Sequence, residues 1–461
     1  MLESAWLDRG PNDRVFLGGH HHHPLDRSWI FTAFIERSAL LRTLCRAWRD
    51  AIDNTPDITR YILVNKRRNN VLYVQRYNHD RPLECFMNTG DRLALAELPS
   101  LLGPLTQRLH SLNIDIADTI MEPVAFPMLR VLRVFSQGSP IGLWGEDRLP
   151  MVHENPGLKV LVVDFSYYNS RIGALEPITA PPLRAEHSGL QIVQLTGNWY
   201  STKSHVLQSL VLDSSVQLVV DNVKPAHLHG PDSALRNVTR SLTQMGVAGI
   251  IKGQLEIRGE YREHVVRFVW SKTGRFLPNE VFSELKSAPL TSSEALDMIL
   301  ELAKSGIVET IKLYQDQYWD SQVTTCISGK TEWQELLRFL GSVRRLVVHP
   351  DYASPLLLAL TKPVWGGTGQ GHQFPCPNLT QLEVSGSRPF SLTPARWWKI
   401  IRKEPWNDIP FNIYKLVNRR QSGRPLGNGL AKLERIGVPF QLRRSNYFKD
   451  PIFDGIDIYL P

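Results

Sequence analysis

The sequence predicts an α/β protein in which a short helical module precedes an irregular solenoid, a curved parallel sheet backed by outer helices. Three observations predict it. Two apolar helical stripes fall within residues 25–60. Between about residue 105 and residue 440, a strand-like unit recurs with apolar residues at its first, fourth and sixth places. Amphipathic stretches of helical period lie between the later units.

Residues 1–24 are rich in Gly, Asp and His and are expected to form a disordered tail. In the module at 25–60, Ile30, Phe31, Phe34 and Ile35 share one helical face. Leu40, Leu41, Leu44, Cys45, Trp48 and Ile52 share another. Pro56 stops the second helix, because proline disfavours helical backbone at the residue before it. Residues 61–104 are expected to connect the module to the solenoid at 105–440, and 441–461 to form a tail or cap.

The recurring unit begins with Leu109-Leu112-Ile114 and Leu129-Leu132-Val134. Leu158-Leu161-Val163, Leu190-Val193-Leu195 and a weaker Leu218-Val220 come next. The later instances are Val265-Phe268-Trp270, Val308-Ile311-Leu313, Val343-Leu346-Val348, Leu379-Leu382-Val384 and Leu433-Ile436-Val438. First positions are 20, 29 and 32 residues apart early in the series and 35 then 36 apart from Val308 to Leu379. These spacings bracket the leucine-rich repeat, whose core is LxxLxLxxN/C, and Asn198 supplies its asparagine once. Wider gaps before Val265 and Leu433 imply insertions or missed units. Helices are predicted over Ser292–Lys304, Thr331–Leu340 and Thr393–Lys403, with Ser292, Ser293 and Thr331 beside Glu294 and Glu332 as N-terminal starts. A single strand–helix unit cannot bury its own apolar face, so neighbours must stack. A conventional α/β domain with a parallel sheet would show the same alternation.

Composition narrows the function classes. Apolar residues at 42% and charged residues at 21% are ordinary for a globular chain. The absence of a long apolar run argues against a membrane span, and the start MLESAWLDRGPNDRVF lacks the pattern of a secretory signal. Cys45, Cys85, Cys326 and Cys376 have no CxxC spacing, so reduced thiols in an intracellular protein (cytoplasm or nucleus) are expected. The net charge of +8 is spread over short clusters such as Lys66-Arg67-Arg68 and Arg419-Arg420, which argues against nucleic-acid binding.

Chemistry-bearing motifs are sparse. The glycine-rich run Trp365–Gly371 lacks a Lys-Ser/Thr ending and a following helix, so it is expected to be a loop between repeats rather than a phosphate cradle. His20–His23 sits in a Gly-flanked tail without fixed geometry, and no metal is expected there. No catalytic residues, metal or cofactor are assigned. Trp199-Tyr200, Tyr314, Tyr318, Trp319 and Trp397-Trp398 are either interface anchors or core margins.

A resemblance adds a functional expectation. Leu40-Leu41-Arg42-Thr43-Leu44-Cys45-Arg46-Ala47-Trp48-Arg49 resembles the second half of an F-box, whose hallmark is Cys-Arg-x-Trp-Arg on an apolar helix. Thr55-Pro56, Arg81-Pro82-Leu83, Arg108–Leu112 and Pro127–Leu132 resemble the segments C-terminal to it in the large F-box families of mushroom-forming fungi. The resemblance implies a receptor that holds an unknown protein target on its repeats while the F-box grips a Skp-type adaptor of a cullin ubiquitin ligase. It implies an adaptor face drawn from Ile30, Phe31, Phe34, Leu40, Leu41, Leu44, Cys45, Trp48 and Ile52. Pro24–Ser28 stands where the family opens with Leu-Pro-x-Glu. The alternative is a repeat scaffold with a decayed F-box that binds partners outside any ligase. An enzyme on an α/β fold is a third reading, with no residues assigned.

Overall fold

The computed structural model describes residues 44–53, 61–64, 82–88, 98–116, 124–136, 154–165, 189–197, 216–223, 234–247, 251–260, 263–274, 282–315, 327, 330–365, 372–385, 408–421 and 430–461. Helix α1 (Arg46–Asp53) comes first, then β1 (Tyr61–Val64) and β2 (Leu83–Asn88). Helix α2 (Leu98–Leu102) and a 3-10 turn lead into β3 (Leu109–Ile116), β4 (Val131–Ser136), β5 (Val160–Phe165), β6 (Ile192–Gly197) and β7 (Gln217–Val223). The middle comprises α3 (Ala234–Val247), β8 (Lys252–Glu260), β9 (Glu263–Ser271), β10 (Ser283–Ser287), α4 (Ser292–Ala303) and β11 (Val308–Gln315). Then come α5 (Lys330–Leu337), β12 (Arg345–Val348), α6 (Pro350–Leu360), the hairpin β13 (Val364–Trp365) and β14 (His372–Gln373), and β15 (Gln381–Val384). The chain closes with α7 (Asp408–Gln421), β16 (Arg435–Gly437), α8 (Phe440–Arg443), two 3-10 turns and β17 (Asp457–Tyr459).

Fifteen of these strands form one open sheet in the order β1-β2-β3-β4-β5-β6-β7-β10-β9-β8-β11-β12-β15-β16-β17. All neighbours are parallel except β9, which runs against β8 and β10. The fold is therefore α/β with a mostly parallel sheet that does not close into a barrel, the geometry a strand–helix solenoid requires.

The periodic apolar residues explain the sheet. In eight of the ten units, from Leu109-Leu112-Ile114 to Leu433-Ile436-Val438, all three positions are buried in one continuous core. Burying each such side chain contributes roughly 1.5–3 kcal/mol, so the first, fourth and sixth places fix which face turns inward. The approach to several strands is also shared. Leu129, Leu158 and Leu379 each donate their backbone N–H to the carbonyl three residues earlier, on Phe126, Asn155 and Cys376, across a proline at the next position. Asn155 braces the turn before it, accepting from the Phe126 N–H at 2.7 Å and donating to the Val124 carbonyl at 2.9 Å.

The unit at Val265 departs from the pattern. There β9 is antiparallel, Val266, Phe268 and Trp270 are the buried residues, and Val265 turns half out. Strands β8, β9 and β10 form a meander inserted in reverse, so β10 rather than β8 continues from β7. This meander fills the gap that looked from sequence like an insertion. Gly253 on β8 makes room for it, since a Cβ there would lie 2.9 Å from the Phe268 ring.

Other elements also refine the sequence reading. Residues 61–104, expected to connect, supply β1 and β2 to the sheet and bury Ile62, Leu83 and Cys85. Residues 441–461 pack as a cap whose β17 pairs with β16. Helix α4 starts at Ser292, as the sequence predicts, but its N-cap is the residue before the two serines. Thr291 is its cap, and the Glu294 carboxylate accepts from the Thr291 N–H at 2.9 Å in a reciprocal capping box. The glycine-rich run joins the two strands of the β13–β14 hairpin, not a strand to a helix. Asn198, Tyr318, Trp319, Trp199-Tyr200, Cys326, His20–His23 and the helix expected over 393–403 lie outside the described residues.

Helices α3 to α7 pack each against the next, a layer behind the second half of the sheet. Arg420 on α7 ties this layer to the loops. Its side chain is 5% exposed, and it donates to the carbonyls of Leu379, Ala431, Pro375 and Cys376 at 2.7–3.3 Å. Burial pulls its pKa below the ordinary arginine value, opposed by the Cys376 thiol. Cys376 itself holds a left-handed backbone (φ 48°), and burial pushes its thiol up to about 12.

Candidate functional site

The parallel register carries the side chains between the leucines onto the second face of the sheet, opposite the core. Their identity changes along the strand order. At the β2–β4 end the residues are polar: Arg133 donates to Asn113 at 3.2 Å, and Asn113 and Ser111 donate to Glu84. Next comes an apolar stretch. Val131, Val160 and Ile192 are in register across β4–β6, with Val162 one row on, all half-buried.

An ionic network stands on the meander and β11. Arg267 on β9 donates from Nε to Glu284 Oε1 at 2.8 Å and from Nη2 to Glu284 Oε2 at 3.2 Å. It also donates from Nη1 to Glu256 Oε2 at 2.9 Å. Gln254 and Lys312 donate to the other Glu256 oxygen at 2.7 and 3.4 Å. Burial alone would lower the Arg267 pKa, but the bonds to Glu284 and Glu256 outweigh it and raise it. Two carboxylates and two cations thus cancel, and the bidentate fork makes the site rigid rather than reactive.

The last strands carry a second network. Glu383 on β15 accepts from Arg345 at 3.0 Å and from the Tyr459 hydroxyl at 2.9 Å. That tyrosine reaches across the intervening β16, which is possible because Gly437 stands between them. A Cβ at Gly437 would lie 2.9 Å from both Glu383 and the Tyr459 ring. Arg435 stacks over the Tyr459 ring at 4.8 Å and pairs with Asp457 at 3.0 Å. Tyr314 lies beside Arg258 in the register, and burial with the charges of Glu256 and Glu383 pushes its phenol up to about 12. Of the aromatic candidates, Tyr314 is therefore a half-buried residue of this face.

Among the described residues, no group of three or more His, Cys, Asp or Glu is placed to hold a metal ion. No helix among them is long and apolar enough to cross a membrane. The face is graded along the strand order: polar, then apolar, then ionic.

The expected adaptor-binding residues meet the structure only in part. Leu44, just before α1, and Trp48, within it, are 63% and 51% exposed, and Cys45 between them is exposed too. The Ile52 backbone lies in α1, while its side chain and all of Ile30, Phe31, Phe34, Leu40 and Leu41 lie outside the described residues. The structure therefore brings together Leu44, Cys45 and Trp48 alone. Sequence reasoning missed the second-face networks because the repeat pattern treats those positions as interchangeable solvent-facing sites. The alternation of Glu, Arg and Lys at Glu256, Arg267, Glu284 and Lys312 was the available signal.

The chain matches no known protein-family model. A search of curated proteins likewise returns no match.

Proposed function

We propose that this chain is a protein-interaction receptor of the leucine-rich-repeat type, working inside the cell as the substrate-recognition subunit of a Skp-cullin-F-box ubiquitin ligase. The second face of the sheet holds a protein target, and the segment of Leu44 and α1, which carries Trp48, docks a Skp-type adaptor. The observation that carries the reading is the exposure of Leu44, just before α1, and of Trp48 within it, in a chain whose repeated apolar units are buried. Large exposed apolar side chains close together in sequence form a ready anchor for a partner helix. The mechanism is positioning. Holding target and ligase on one chain raises the effective concentration of target lysines near the transferring enzyme.

Co-purification with a Skp-type adaptor tests this. The unmutated chain co-elutes with the adaptor, and Leu44→Ala combined with Trp48→Ala abolishes it while circular dichroism stays unchanged. Failure of the unmutated chain to bind leaves a repeat scaffold that acts outside any ligase.

A further inference from the structure

The cap at the far end of the sheet carries an exposed aromatic pair beside unpaired cations. On α7, Phe411, Lys415 and Arg419 form one exposed stripe at helical spacing. The Phe411 ring meets that of Tyr447, on the 3-10 turn Asn446–Lys449, at 5.4 Å. Both are solvent-facing, Phe411 at 36% and Tyr447 at 41% exposure. Tyr414 completes the cluster 5.7 Å from Tyr447 and links it to the buried Phe453. Two large rings left in water at one place are an unused apolar surface.

Charge says what covers it. Residues 408–461 contain nine Lys and Arg against five Asp and Glu, an excess of four that is half the chain's net +8. Arg420 is buried on carbonyls and Arg435 is paired with Asp457. Among the described residues, Lys415, Arg419, Arg443 and Lys449 have no carboxylate within ion-pair distance. Lys415 Nζ instead lies 3.9 Å over the Phe411 ring, and Arg419 lies 5.0 Å over Phe374. A cation over an exposed ring is held in place yet keeps its capacity for an anion.

We propose that this cap is a docking surface for an acidic protein segment, in which Asp or Glu residues flank one aliphatic or aromatic anchor. The anchor packs on Phe411 and Tyr447, and the carboxylates meet Lys415 and Arg419. An acidic segment fits better than single-stranded nucleic acid. Base stacking needs free ring faces and a run of phosphate contacts, whereas Lys415 covers one face of Phe411 and the Phe411–Tyr447 rings are tilted by 39°. The inference goes beyond the receptor reading and stands whether or not α1 binds an adaptor.

The test is fluorescence anisotropy on the full chain with three labelled probes. These are an acidic peptide with one central Phe or Leu, the same peptide with Asn and Gln for its acids, and a single-stranded oligothymidylate. The acidic peptide binds, the amide peptide does not, and raising salt from about 50 to about 200 mM weakens binding about tenfold as the Debye length shrinks. Lys415→Glu with Arg419→Glu, and separately Phe411→Ala with Tyr447→Ala, each weaken it at least about tenfold. Arg338→Glu with Lys362→Glu changes net charge equally on another exposed surface and leaves affinity unchanged. Three results overturn the proposal: no binding of the acidic peptide, equal loss in the Arg338/Lys362 variant, or tighter binding of the oligothymidylate.

Discussion

Arg419 and Arg420 are adjacent in sequence and opposite in role, which makes them a sharp test of how α7 is anchored. Arg420 is a buried cation whose donors satisfy four backbone carbonyls, those of Pro375, Cys376, Leu379 and Ala431. Replacing it with Met keeps the volume and removes every bond. The Leu379 carbonyl then stays buried without a donor, at about 1–3 kcal/mol before water enters, while the Cys376 carbonyl keeps only the Leu379 N–H. Hydrogen bonds from a charged donor are worth roughly 1.5–3 kcal/mol each and are partly recovered as water enters, so Arg420→Met is expected to cost about 3–5 kcal/mol. Arg420→Lys keeps the charge without the planar fork and is expected to cost about 2 kcal/mol. Arg419→Met loses only its stack on Phe374, about 0.5–1 kcal/mol. Urea unfolding of the three variants, followed by tryptophan fluorescence, measures the order. Hydrogen exchange at residues 376–381 should rise in Arg420→Met and not in Arg419→Met. If the two Met variants agree within about 1 kcal/mol, the carbonyl-clamp argument is wrong.

Three further outcomes are expected of the same structure. Gly437→Ala places a methyl between Glu383 and Tyr459 and breaks their bond, at about 1–2 kcal/mol net of the rigidity alanine adds. Ultraviolet titration then shows the Tyr459 pKa, now raised by burial and by Glu383, falling toward that of free tyrosine. Leu346→Ala, at a buried central position of its unit, is expected to cost roughly 2–5 kcal/mol by thermal or urea unfolding, whereas half-exposed Val265→Ala costs under about 1 kcal/mol. Equal effects would remove the distinction drawn between the parallel units and β9. For Tyr314, the folded pKa of about 12 lies above the unfolded value near 10. The folded state therefore holds the proton longer, and stability is full below about pH 10 and falls as pH rises toward 12. Solvent screening at this half-buried position limits the loss to roughly 1–2 kcal/mol. Tyr314→Phe should flatten that part of the stability–pH curve.

The core of this fold was legible because burial leaves a mark at fixed spacing. Leu158, Leu161 and Val163 must face inward together, and a strand of that period places them so. The mark was weaker where the chain changes direction. On β9, buried Val266, Phe268 and Trp270 alternate strictly, and Phe268 with Trp270 matched the end of the repeat unit by coincidence. Strands β1 and β2 escaped because Leu83 and Cys85 form only part of the unit. Arg420 reads from sequence as half of a solvated pair, since nothing local says that carbonyls from residues 375–379 and 431 will converge on it. The second-face networks depend on register between strands as far apart as those of Glu383 and Tyr459, and no local pattern carries that information.

The reversed meander has a consequence for how the molecule assembles and comes apart. In a plain repeat array each new unit docks on the one just made, so structure zips along the chain. Here β7 waits for β10, whose residues arrive only after β8 and β9, and the Gln217 side chain bonds to the Phe282 carbonyl 65 positions away. The path from β10 to β11 then passes back over the same two strands. These overlapping crossings clasp the β1–β7 half to the β11–β17 half. Pulled from its ends, such a chain should resist until the clasp opens and then yield in one large step, where an unclasped ribbon would shed its units one at a time.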